Sequence, residues 1–206
     1  MVQETYYIKA QAAGGGGGSV GATLNKTNRT VSVRTGDDGD IQAGRAVDFL
    51  TLASANPFGT TERFTSELGS QTYTNNIVID WSTYNGSTVL GYINQTQSST
   101  NWNTAIDNCL AYSVGSYTSG WRLPNVLEIF NLYDFGNING LGSYRLYRPP
   151  VFNLGVNRYW TSTIARFSNN VHTADSQYGE IRYTGITSSA AYFPCRTFTV
   201  NGTTLT

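Results

Sequence analysis

The side chains that could do chemistry are few and scattered. His172 is the only histidine, and neither a second histidine nor a nearby cysteine completes a zinc set around it, so a hydrogen-bonded structural role is expected. A pair of carboxylates could hydrolyse a glycosidic bond, one acting as acid and the other as base or nucleophile. Asp80, Asp134, Asp175 and Glu180 are available for this, but nothing in their local sequence selects a pair. Asp37 and Asp38 stand between Gly36 and Gly39, which reads as a solvated turn, because a calcium loop needs several more spaced oxygen ligands. Gly17 to Gly21 fits the letters Gly-x-Ser-x-Gly, but it belongs to a glycine linker and not to the strand-to-helix turn that a nucleophile elbow needs, and the run from Gly14 to Gly18 leads into Ser19 and Val20 instead of the Lys-Ser/Thr of a phosphate loop. The expectation is a protein that is not an enzyme and uses no cofactor and no metal.

What the chain has in quantity is the chemistry of recognition. A glycan site that needs no metal uses aromatic faces for the sugar's C–H surface, and Asn, Asp or Arg for its hydroxyls. The late loops supply Tyr144, Tyr147, Arg148, Phe167, Asn169, Asn170, Tyr178 and Tyr183, and these are the candidate ligand-binding residues. Many of the same aromatics must also anchor loops, since this region has few aliphatic side chains.

Composition points the same way. Lys+Arg and Asp+Glu number 13 each in 206 residues, so the overall field favours neither nucleic acid nor an anionic membrane surface. Tyr 14, Phe 9, Trp 4 and Gly 22, with abundant Asn, Thr and Ser, suit short strands, many turns and an uncharged polar surface. No stretch approaches the roughly 20 apolar residues that span a bilayer, and the first residues lack the basic start and apolar core of an export signal. The sequons, for instance at Asn25, Asn28 and Asn94, therefore read as by-products of an Asn- and Thr-rich sequence.

The elements that must position these residues fall into three parts. Residues 1–20 form an arm ending in the glycine run, whose five residues have maximal backbone freedom and no side chains to pack. Within it, Thr5-Tyr6-Tyr7-Ile8 reads as a docking strand that needs a partner. Residues 21–70 form a β-containing connector, with a strand at Thr30–Arg34 and a loop at Asn56–Gly59. Residues 71–206 form the main domain, which opens with a hairpin of Asn76–Trp81 and Thr88–Tyr92 around Asn85-Gly86. Two helices follow. Asn101 or Asn103 caps the first, with Trp102, Ile106, Cys109 and Leu110 as its apolar stripe. Asn125 and Glu128 form a capping box for the second, with Val126, Ile129, Phe130 and Tyr133 inward and an end near Asp134 to Gly136. Short strands are expected around residues 159–163, 170–174, 180–183 and 195–200, which together give an α+β domain.

Ser119-Gly120-Trp121-Arg122-Leu123-Pro124-Asn125, then Glu128-Ile129, then Tyr159-Trp160-Thr161-Ser162-Thr163, resemble the ordered motifs of the Lcl-type C-terminal domain family, found in bacterial and phage proteins. Trp102, Ala105 and Cys109 look like its first helix, and Phe193-Pro194-Cys195-Arg196 like its closing strand, so the resemblance covers roughly residues 71 to 200. It implies a C-type lectin-like fold with two helices and short antiparallel strands, preceded here by an extended N-terminal arm. It also implies that Cys109 and Cys195 lie together. A disulfide closing a loop of that length would stabilise by about 4 to 5 kcal/mol, while assembly in a reducing cytosol would leave two buried thiols. Trp121 and Trp160 read as core. The calcium-binding Glu-Pro-Asn, Gln-Pro-Asp and Trp-Asn-Asp motifs of many C-type lectins are absent.

The resulting expectation is a display protein of a phage particle surface or, alternatively, of a bacterial cell surface. Its arm would dock on other virion or appendage proteins, and its domain would bind host glycan, mucin or a surface receptor. Nucleic acid and membrane insertion are not expected, and a homo-oligomer is. The rival expectation is a purely structural capsid or tail decoration protein that binds only other virion proteins.

Overall fold

The computed structural model describes residues 32, 34–35, 41, 49–134, 152, 154–155, 157–166 and 169–206. The expected arm and most of the strand expected at Thr30–Arg34 lie outside the described residues.

The first sheet begins where apolar residues run without alternation, as they must in a strand covered on both faces. β1 (Phe64–Thr65) pairs with β2 (Ile77–Asp80), all four residues of which are buried, and β2 pairs with β3 (Thr88–Ile93). A 3-10 turn at Trp81–Thr83 leads out of β2, and Gly86 at φ 98° supplies the left-handed turn before β3. β10 (Cys195–Asn201) then pairs antiparallel with β3, with β5 (Trp121–Arg122) and with β11 (Thr204–Leu205). β3 and β10 carry the sheet's close approach at Gly91, where a Cβ would stand 2.5 Å from the Phe198 ring.

The second sheet has the order β4 (Gln97–Thr100), β9 (Ala190–Tyr192), β6 (Arg158–Ile164), β7 (Asn170–Asp175), β8 (Glu180–Gly185). Its pairings are antiparallel except β6 with β9, which is parallel. Between and beside the sheets lie α1 (Trp102–Leu110) and α2 (Val126–Phe130).

These elements close over three apolar clusters. One joins β2 and β3 to the second sheet through Phe49, Phe64, Tyr92, Ile129, Phe152, Tyr159 and Phe193. Another covers the opposite side of the first sheet with Ile77, Ile79, Trp81, Trp121 and Phe198. The third seats α1 against the second sheet through Ala105, Cys109, Leu123, Trp160 and Tyr192. Phe49 and Phe64, from the stretch read as connector, are part of the first cluster.

The expected α+β, C-type lectin-like fold with an N-terminal arm is overturned: the structure is mostly β, built on two largely antiparallel sheets. Both helices form at the expected positions, but they are small, nine residues and five. β1, β4, β5, β9 and β11 were not anticipated, and each is only two to four residues long. The second helix stops at Phe130, short of the expected Asp134 to Gly136. Asn131 caps it with helical backbone angles, its carbonyl accepting from Arg63 Nη2 at 2.8 Å and its side chain donating to Asp80, so the helix end is spent on tertiary partners. Asn101 caps α1, and Leu110, expected inward, is 61% exposed.

A carboxylate-edged aromatic hairpin as candidate functional site

The candidate site is built on the hairpin of β7 and β8. Asp175 ends β7, and its Oδ1 accepts from the backbone N–H of Gln177 at 3.0 Å and of Tyr178 at 3.3 Å. Gly179, at φ 68°, closes the turn by donating to the Asp175 carbonyl. This holds Tyr178 at the tip, with 59% of its surface exposed.

Strand alternation then sets the charged groups. Asp175 stands opposite Glu180 in register, and Arg182, two residues on, shares Glu180's face. Arg182 Nε donates to Glu180 Oε1 at 2.6 Å, its Nη2 reaches the same oxygen, and Nε lies 3.7 Å from Asp175 Oδ2. The hydrogen bond to Glu180 raises the Arg182 pKa further above its already high value. The guanidinium also lies 5.5 Å from the Tyr178 ring centroid. Arg158 of β6 is in register with Asp175, so one row across three strands reads Arg158, Asp175, Glu180. Among the described strands β8 lies at the edge of its sheet, and charges along an edge strand disfavour further pairing.

Of the residues expected to bind ligand, Tyr178, Tyr183 and Asn169 belong to this hairpin, but the structure does not bring them together. Tyr183 follows Arg182 and so faces the other way, 61% exposed, its ring 5.0 Å from that of His172. Asn169, at φ 72°, is exposed at the end remote from Tyr178, and its carbonyl accepts from Ile186. Tyr144, Tyr147, Arg148 and Phe167 lie outside the described residues. Sequence reasoning does not single out Arg182, and it reads Asp175 and Glu180 only as available catalytic carboxylates. The available signal was the Asp-x-x-x-Gly turn followed by alternating Glu180 and Arg182.

Two further polar centres are tied up in structural pairs. Arg63 and Asp80 are wholly buried and paired twice, at 2.8 and 2.7 Å, with Ser82 and Asn131 completing the carboxylate's partners. The Arg63 guanidinium lies 4.2 and 4.5 Å from the rings of Phe49 and Phe64. Arg122 grips Glu128, whose carboxylate also accepts from the Asn125 N–H in the expected capping box. A shallow groove of about 260 Å³ beside Glu128 is lined by Thr83, Thr88, Val89, Leu90 and Thr197. His172 is a half-buried residue of β7, and burial lowers its pKa.

Cys109 and Cys195 are free buried thiols, so the disulfide implied by the family resemblance is not formed in this structure. Burial raises the Cys109 pKa to about 12 and that of Cys195 well above the usual thiol range. Cys195 Sγ lies 4.0 Å from Glu128 Oε2. Among the described residues no cluster of three His, Cys, Asp or Glu side chains could hold a metal, and no helix is long and apolar enough to cross a membrane. In comparisons with known proteins, the chain matches no family model and no curated protein.

Proposed function

We propose that the protein is a non-enzymatic display protein of a virion or cell surface whose β-rich domain binds a host glycan, mucin or surface receptor at the turn of the β7–β8 hairpin. The observation that carries this reading is the exposed Tyr178 ring beside Arg182, itself held by Glu180 and Asp175. An aromatic face next to fixed acceptors and donors is what a sugar's mixed apolar and hydroxyl surface requires. On the same reading, the protein docks on a larger assembly and its domain is displayed in several copies.

The test is binding of the full chain to a broad glycan and mucin panel. Tyr178→Ala should weaken saturable binding about tenfold, which corresponds to roughly 1.4 kcal/mol. Binding that is unchanged by the substitution would remove the hairpin from the reading.

Structural decoration is the second reading, and it rests on Leu127 and Ile164. These are 72% and 65% exposed, and a neighbouring virion protein would cover them.

A further inference from the structure

The charges at the hairpin carry a statement about which ligand it takes. Arg182 and Arg158 supply two positive charges and Asp175 and Glu180 two negative, all on one face of β6, β7 and β8. Arg182 is already paired with both carboxylates, at 2.6 Å to Glu180 and 3.7 Å to Asp175. These four described charges sum to zero, so the row offers no net attraction to an ionic ligand, and a charged one would have to compete with pairs already made.

Hydrogen-bonding capacity does remain. Arg182 uses Nε and Nη2 on a single carboxylate oxygen, Glu180 Oε1. A guanidinium carries five N–H donors and a carboxylate about four acceptor sites, so donors and acceptors are left side by side. A sugar hydroxyl both donates and accepts, and two neighbouring hydroxyls match such an alternating edge, whereas a sulfate or carboxylate can only accept and an ammonium can only donate. The half-exposed Tyr178 ring adjoins this edge and suits the C–H face of the same ring.

We propose that the site, on the glycan-binding reading above, selects uncharged sugars carrying adjacent free hydroxyls, and that the balance of Glu180 against Arg182 sets that selectivity. The full chain is tested against one oligosaccharide backbone in three forms: neutral, sulfated and amine-bearing. Each is titrated at low salt and at a tenfold higher concentration, with Glu180→Gln and Arg182→Gln alongside and thermal melting confirming that both variants fold.

The neutral form should bind best, its affinity changing less than about twofold with salt, since no long-range attraction is being screened. Glu180→Gln leaves a net positive face and should gain salt-sensitive binding of the sulfated form. Arg182→Gln leaves a net negative face and should gain the amine-bearing form. Tyr178-dependent binding in which the sulfated or amine-bearing form is preferred by the unaltered protein would overturn the selectivity and leave the glycan site standing. Binding of all three forms that ignores Tyr178→Ala would overturn the site and the selectivity with it. Variants that fold yet keep the parent's preference would show that Glu180 and Arg182 do not set it, and would overturn the proposal.

Discussion

Arg63 is the residue whose chemistry is furthest from its surroundings. A guanidinium with 0% exposure survives in a core only because Asp80 neutralises it, the carbonyl of Asn131 accepts from it, and two aromatic faces flank it. Removing one partner strands the other charge without water. Arg63→Ala should therefore cost about 3–5 kcal/mol in a denaturant titration. Replacing both partners by apolar residues of similar volume should cost much less, and that contrast separates the stranded charge from mere loss of packing. Nothing in the local sequence marks Arg63 as buried, because its partner lies 17 residues away and the carbonyl 68 residues away. Asp80 was visible only as one carboxylate among several.

At the scale of elements, local rules were readable and lengths were not. The capping box is written in four consecutive residues, Asn125 to Glu128, and both of its bonds form. Asn125→Ala should cost about 1 kcal/mol, read as a lower unfolding midpoint with an unchanged slope on denaturant. The strands β2, β3, β6, β7, β8 and β10 lie where alternation or apolar runs placed them, within a residue or two at most ends. The two-residue strands β1, β5 and β11 carry too few residues for any period to show, and pairing with a distant strand alone creates them. They and β4 and β9 turn an expected α+β domain into a mostly β one. At the candidate site, the aromatic was legible and its neighbours were not. Tyr178 stood out by type, whereas Arg182 became meaningful only once register set Asp175 opposite Glu180.

At the scale of the whole molecule, the two cysteines report on the integrity of the core. Cys109 sits between α1 and the second sheet, Cys195 in β10 of the first, and both have 0% exposure. Burial keeps both protonated at neutral pH, so neither is a nucleophile while the fold is intact. An exposed-thiol reagent should label the native protein at the rate of global opening and label both residues together in denaturant. Fast labelling of one alone would show that its sheet opens independently. The strand order has a further consequence, for biosynthesis. β10 supplies the pairing for β3, β5 and β11, yet it is among the last strands in chain order. A ribosome that has reached only Pro194 has made most of the apolar surface without the strand that organises it. Completion of the first sheet therefore waits for β10, and a product stopped at Pro194 leaves the β3 edge that β10 would cover unpaired and open to non-native pairing.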